Sequence, residues 1–328
     1  MVLAFLALVG LQTSAQAPIT LARQFTKNEK LGYQFLSHIT AEHRVKNLDT
    51  WLPEDLDINY NFTTQVTQLK ADGIAVVHYL RPTLTEIEGE TFDSGPKTKV
   101  DNIDLNYLLT LSPINEILED KSLSKPKPET PSSDDGRWIN ANVKLQSAMD
   151  FFAPYISDIH RLALFIGGVQ DSLDFSPKFP LNPVKPGDTW KYTVGFQPQK
   201  LKGADGKSAV QRLDYTYTLV GPMTSQGKQV IRVDANLDFS TDLSEFLKQL
   251  LKDHASETNV SKVPLHFKSV IHFDLDPKTK ETLRAEGSTE GGYQVYLLET
   301  GTDAAIEERF KARMTMAEVG KRIVAGSP

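Results

Sequence analysis

Several fragments of this chain carry residue types that do chemistry, and each lacks a part that the chemistry needs. Gly206-Lys207-Ser208 ends like a phosphate-binding loop. The other glycine, Gly203, sits too close, and the segment lies between two strand-like runs with no helix to follow. Its amides therefore have no helix terminus at which to cradle a phosphate. Ser122-Leu123-Ser124-Lys125 has the Ser-x-x-Lys spacing of an acyl-transfer nucleophile and its base, but Pro126 and Pro128 keep it from opening a helix. Neither companion motif, Ser-Asp-Asn or Lys-Thr-Gly, occurs. There is no Gly-x-Ser-x-Gly elbow, and no His-Glu-x-x-His pair for zinc. The absence of cysteine excludes a thiol nucleophile, any disulfide, Cys-ligated zinc and a lipid-anchored N-terminal cysteine.

The histidines fare no better as metal ligands. His266 and His272 share one face of an alternating run, yet six residues of strand separate them by roughly 20 Å. His38 and His43, at an odd spacing, point to opposite faces of an extended segment. His78, among Val76, Val77 and Leu80, and His160, on an apolar stretch, read as satisfied core or lining residues. The carboxylate pairs Asp134/Asp135 and Asp274/Asp276 fall in turn-like contexts and complete no calcium loop. Trp51, Trp138 and Trp190 have the rings that stack on sugars, but three in a chain this long read as core or hinge anchors. No metal, no cofactor and no catalytic residue is assigned.

What would position any site begins with the address. Residues 1–17 combine an unbroken apolar run, Met1 to Leu11, with the small residues Ser14, Ala15 and Ala17, the core and cleavage region of a secretory signal peptide. Cleavage after Ala15 is preferred to cleavage after Ala17, because Pro18 would sit just past the latter cut. No Lys or Arg precedes the run, which points to a translation start a few codons upstream. The expected location is periplasmic or extracellular. About 310 residues remain, enough for two cores. The net charge of -6 is mild and mixed, which argues against a nucleic-acid partner. No later stretch is long and apolar enough for a membrane span.

Period-two alternation dominates the rest. Leu31-Gly-Tyr33-Gln-Phe35 reads as a strand, and Ile58 to Val66, Asp72-Gly73 and Ile74 to Leu80 read as a hairpin. Trp190 to Val194, then Leu213 to Leu219, a Ser225-Gln226-Gly227 turn and Val230 to Val233 repeat that order, which suggests an internal duplication. Each hairpin is followed by a helix signal, at Ser112-Pro113 to Asp120 and at Asp242-Leu-Ser-Glu245. Val263 to Asp274 places Leu265, Phe267, Ile271 and Phe273 on one face and His266, Lys268 and His272 on the other. Phe310 to Met316 alternates in the same way.

Between the halves, 121–137 is rich in Lys, Pro, Ser and Asp and reads as a mobile linker. The stretch 147–173 carries apolar residues around most of a helical circumference and calls for burial on several sides. Pro177, Pro180, Pro183 and Pro186 then favour an extended, stiff connector.

Pro183-Val184-Lys185-Pro186-Gly187-Asp188-Thr189-Trp190, running straight into a strand, resembles an entry segment of uncharacterised secreted bacterial proteins in domain-of-unknown-function families. Gly187-Asp188 would turn the chain and Trp190 would anchor the first strand. More loosely, meanders with helices on the concave face look like the half-barrels of periplasmic lipoprotein carriers, an analogy that brings no catalytic residues.

The expected architecture is therefore α+β: two related curved antiparallel sheets with helices on or between them. The organisation is 1–17 signal peptide, 18–120 N-terminal β-rich domain, 121–137 linker, 138–186 apolar helix and Pro-rich connector, and 187–328 C-terminal β-rich domain. The expected function is non-enzymatic binding of a hydrophobic small molecule, a lipid or lipidated envelope component, against Phe151, Phe152, Tyr155, Leu162 and Phe165. The alternatives are an envelope interaction or scaffold protein without a cavity, and a hydrolase whose site is assembled across the two halves.

Overall fold

The structure is a computed structural model that describes residues 17–45, 50–81, 86–90, 105–123, 176–196, 211–244, 260–298, 301, 303–319 and 323–324. Strand β1 is Glu29–Val45, β2 Leu52–Leu69, β3 Ala75–Arg81, β4 Glu86–Glu90, β5 Leu105–Leu111, β6 Ile117–Ser122 and β7 Thr189–Phe196. Strand β8 is Gln211–Ser225, β9 Lys228–Asp242, β10 Val260–Lys262, β11 Pro264–Leu275, β12 Thr282–Leu297, β13 Ile306–Glu318 and β14 Ile323–Val324. All of them join one antiparallel sheet, ordered β6-β5-β3-β2-β1-β13-β12-β11-β9-β8-β7, with β4, β10 and β14 as side branches.

This corrects the expected fold class. The protein is not α+β with two sheets, because β1 pairs along thirteen positions with β13, from Tyr33↔Glu318 to Val45↔Ile306, and fuses the halves into one surface. Sequence periodicity marks which residues share a face, but it carries no signal for which strand lies beside which. The hairpins do share a pairing order, β1-β2-β3 and β7-β8-β9, which is what any meander has and does not establish a duplication.

The helix expected at 112–120 is also absent. Ser112 acts as a cap, its Oγ accepting from Glu116 N at 3.0 Å, but Asn115 adopts a positive φ of 64° and ends the turn. The chain then leaves as β6. Asp242 behaves as foreseen at the other start signal: its Oδ1 accepts from Ser244 N at 2.9 Å and also from Val263 N at 3.0 Å. The body of that segment and the 147–173 stretch lie outside the described residues.

The alternation sorts the faces cleanly. Leu31, Tyr33, Phe35, Ile39 and Ala41 of β1 are buried, while Leu36, His38 and Thr40 face out. Leu265, Phe267, Ile271 and Phe273 are buried, with His266 and Lys268 exposed. Buried residues of both halves belong to one continuous apolar core, so the sheet folds around a shared interior. Each fully buried Leu or Phe there contributes about 1.5–3 kcal/mol as an upper estimate.

Glycines on β12 sit where the neighbouring strands approach closely. Its inward column runs Ala285, Gly287, Thr289, Gly291, Tyr293, Val295. A Cβ on Gly287 would lie 2.9 Å from Met314 Cε, and one on Gly291 would lie 2.4 Å from His266 O.

The outer face carries the charge. Arg309 pairs with Glu42 at 2.6 Å, Arg44 with Glu307 at 2.6 Å, His266 with Asp238 at 2.9 Å and His272 with Asp234 at 2.7 Å. Arg44 and Arg309 both lie over the Trp51 ring, at 4.9 and 4.2 Å from its centroid.

One outer-face pair sets part of the acid stability. Arg232 grips Asp274 with Nε at 2.8 Å and Nη2 at 3.0 Å, and Ser225 Oγ donates to the same carboxylate at 2.5 Å. Burial alone would raise the Asp274 pKa; the Arg232 fork and the Ser225 hydroxyl outweigh it and hold the carboxyl below its ordinary value. A depressed folded-state pKa stabilises above the unfolded value of about 3.9 and is lost as pH falls through the folded value. Arg232→Gln is therefore expected to lower the urea midpoint by a constant amount above about pH 4, with the deficit shrinking below it. A deficit independent of pH from 6 to 2 would contradict the assignment.

Candidate functional site

The β-turns at 70–74, 112–116, 226–227 and 276–281 gather at one end of the curved sheet. Two non-strand segments cross this end. Residues 17–28 bridge Val184 through Ile19, then donate Arg23 N to Pro113 O at 2.7 Å, Gln24 N to Thr279 O at 2.8 Å and Asn28 N to Val66 O at 2.9 Å. The proline-spaced connector 177–186 is not a free spacer. Phe179 is 2% exposed, and Val184 is buried. Apolar side chains between the prolines draw it into the core.

That connector also ties β7 to the turn before β6. Among the described residues, β6 and β7 end the strand order and do not pair with each other. The connector and β7 are held by single bonds: Phe179 N to Ile114 O at 3.1 Å, Asn115 Nδ2 to Pro177 O at 2.8 Å, Trp190 Nε1 to Lys178 O at 2.7 Å and Tyr192 OH to Glu116 Oε1 at 2.7 Å. Lys178 Nζ donates to Asn115 O. Burial and the Glu116 carboxylate push the Tyr192 phenol up, so it stays a donor at neutral pH.

The Pro183–Trp190 segment does what its residues suggested. Gly187 turns at a φ of 91°, Asp188 Oδ2 accepts from Lys185 N at 2.8 Å, and Trp190 stacks on Tyr217 with centroids 5.7 Å apart.

Behind the crossing segments lies a cavity of about 40 Å³, room for one or two small groups. Its sheet side is apolar: Phe62, Val77, Leu109, Leu111 and Met316, with Tyr33 and Tyr79 stacked on either side of Phe62 at 5.0 and 5.2 Å. Its other side is polar: Arg23, Asn115, Ser176 and Thr282, with Thr64 of β2. Arg23 Nη2 meets Glu281 Oε1 at 2.8 Å, and Tyr33 OH donates to the same oxygen at 3.0 Å. Burial first, then the Glu281 charge, drives the Tyr33 pKa well above normal, so this phenol stays protonated. Asn115 spends its amide nitrogen on Pro177 O, and its buried Oδ1 has no hydrogen-bond partner among the described residues.

Elsewhere the interior is apolar and its polar groups are paired: Ser269 with Thr289 at 2.6 Å, and Tyr293 OH with Glu308 Oε2 at 2.8 Å. No cluster of three metal-capable side chains occurs among the described residues. His78 is satisfied by Asn106 Oδ1 at 2.7 Å, on the outer face rather than in the core.

The ligand-binding residues expected from sequence, Phe151, Phe152, Tyr155, Leu162 and Phe165, lie outside the described residues. Missed at that stage were Arg23, Glu281, Asn115, Ser176 and Thr282. Only Asn115 left a trace, as a residue that tolerates positive φ two places after a turn-opening proline.

No family model matches the chain, and no curated protein matches it. Among the solved structures that align with the chain, two illustrate the likeness. One, on lipid–protein interactions in lipovitellin, is 9% identical with a TM-score of 0.39, and covers 93% of this chain and 26% of that one. The chain thus spans about a quarter of the lipovitellin chain it matches. The other is a DUF1329 family protein from Desulfovibrio piger, 10% identical with a TM-score of 0.14, covering 90% of this chain and 87% of that one. Neither establishes a family. A domain-of-unknown-function protein is among the structural neighbours, as the Pro183–Trp190 resemblance suggested, but scores this low carry no argument about fold or function.

Proposed function

We propose that the protein is exported and binds an apolar small molecule in the interior of its curved sheet, without transforming it. Export rests on the apolar and small-residue pattern of 1–17. Binding rests on one observation: a single sheet carries a continuous, aromatic-rich apolar core shared by both halves, and among the described residues its end strands β6 and β7 have no ladder between them. A closed barrel of this kind would have to break strand pairing to admit a ligand. Here, among the described residues, the connector and β7 are tied to the 112–116 turn by a few single hydrogen bonds, each contributing about 0.5–1.5 kcal/mol.

The cavity of about 40 Å³ holds only a few heavy atoms, so a larger ligand enters by parting the connector from the 112–116 turn. Such a cost is repaid by the ligand's own buried surface, about 25 cal/mol per Å². Titration of detergent-free protein with N-phenyl-1-naphthylamine tests this. Saturable uptake near one equivalent, with increased emission, is expected. A folded protein that takes up no probe overturns the reading and leaves the envelope-scaffold alternative.

A further inference from the structure

The core is covered unevenly at the two ends of the strand order. On β8, Leu213, Tyr215 and Tyr217 are buried, yet Val194, Tyr192 and Trp190, opposite them on β7, are only half-buried. On the other side, Tyr79 of β3 is fully buried, while Tyr107, opposite it on β5, is half-buried, as is Ile117 at the start of β6. All of these half-buried side chains pack against the common core. Among the described residues, the end strands thus carry core side chains with one flank uncovered.

The course of the chain points to what covers them. Strand β6 starts beside the 112–116 turn and runs away from it, and at its far end Leu123 N reaches Asn106 O at 2.7 Å. Ser176 lies back at the turn end, where its Oγ accepts from Thr282 Oγ1 at 3.2 Å and Pro177 O accepts from Asn115. Residues 124–175 therefore leave from the far end of β6 and return to the turn end before β7 begins. Six residues of strand span roughly 20 Å, so this return covers the length of β6.

Within that return lies 147–173, whose apolar residues fall around most of a helical circumference and call for burial on several sides. The end strands lack an apolar layer, and the segment lacks an apolar partner. Its attachment to β6 on one side and to the connector on the other gives it a local concentration on the order of millimolar, far above that of a second copy in dilute solution.

We propose that the stretch 147–173 docks between β6 and β7, against Tyr107, Ile117, Trp190, Tyr192 and Val194, as the intramolecular partner of the two end strands. The inference does not depend on the interior-binding reading, because docking and dye uptake are measured separately.

The chain has no cysteine, so pairs introduced into it report proximity without background. Val194→Cys lies on the core side of β7 and Lys191→Cys on its exposed side. Each is combined in turn with Phe152→Cys, Tyr155→Cys, Ile159→Cys, Leu162→Cys or Phe165→Cys and mildly oxidised. A disulfide requires Cα atoms within about 7 Å. Docking predicts an intramolecular disulfide from Val194→Cys to at least one of these positions, and none from Lys191→Cys. No disulfide to Val194→Cys, equal yields from both β7 positions, or a disulfide-linked dimer of Val194→Cys alone overturns it, the last in favour of a second copy. Should a cysteine pair fail to fold, trypsin on the unmodified protein decides. Cleavage after Arg161 is expected to be about tenfold slower than cleavage after Arg137 in the linker, because a docked segment must first come away. Equal rates at the two sites overturn the docking, while saturable dye uptake by the same protein would leave interior binding standing.

Discussion

Gly291→Ala is expected to destabilise the protein by about 3 kcal/mol, the upper end of what overpacking costs. An added Cβ would lie 2.4 Å from both His266 O and Phe267 Cβ, and 2.7 Å from Phe267 Cα. Two of these are backbone atoms of β11, so no side-chain rotation relieves the contact; the strand itself must move. Gly291 sits between Phe267 and Phe310 in register. The neighbouring Gly292 is equally restricted on the outer face, where a Cβ would meet Glu308 O at 2.3 Å. Gly227→Ala is the control. Its φ of 77° costs a side chain about 1–2 kcal/mol, but nothing lies within 4 Å of the added atom. Urea midpoints compared at constant m measure both. A Gly291→Ala midpoint equal to or above that of Gly227→Ala would mean that the close approach of β11 to β12 does not depend on the absent side chain.

Arg23→Met is expected to cost about 3–5 kcal/mol, because it leaves Glu281 buried without its cation. The side chains are 10% and 1% exposed, and the pair joins the N-terminal crossing segment to the β11–β12 turn. Removing both charges should cost far less than removing one. Arg23→Met combined with Glu281→Leu is therefore expected to recover most of the loss, since a well-packed apolar pair often substitutes for a buried ion pair. Should the double variant be as unstable as Arg23→Met alone, the loss would come from packing of the Arg23 stem, including its contact with the Phe25 ring at 4.8 Å.

The sequence made the faces of the sheet legible but not the sheet itself. Leu265, Phe267, Ile271 and Phe273 are read inward, and His266 and Lys268 outward, because a period of two needs only local information. That β1 lies beside β13 depends on contacts some 270 residues apart in the chain, for which alternation leaves no mark. The same limit hid the candidate site. Tyr33, Phe62 and Tyr79 are ordinary strand positions until the register stacks them. Arg23 and Glu281 are ordinary charged residues until the crossing segment reaches the turn. The helix expected at Ser112-Pro113 had a sound cap, and it was Asn115 in the left-handed region that ended the turn after four residues.

The central claim, that the interior of the curved sheet holds an apolar molecule, is tested most directly by contact quenching. Single tryptophans placed at Phe267, which is fully buried, and at Leu36, which is 43% exposed on the outer face, report the two sides of the same sheet. With 11-bromoundecan-1-ol as ligand, the bromine reaches van der Waals distance of an interior ring only. Interior binding predicts saturable quenching of the Phe267→Trp signal over that of the parent protein and none of the Leu36→Trp signal. Equal quenching of the two, or quenching of Leu36→Trp alone, would contradict it.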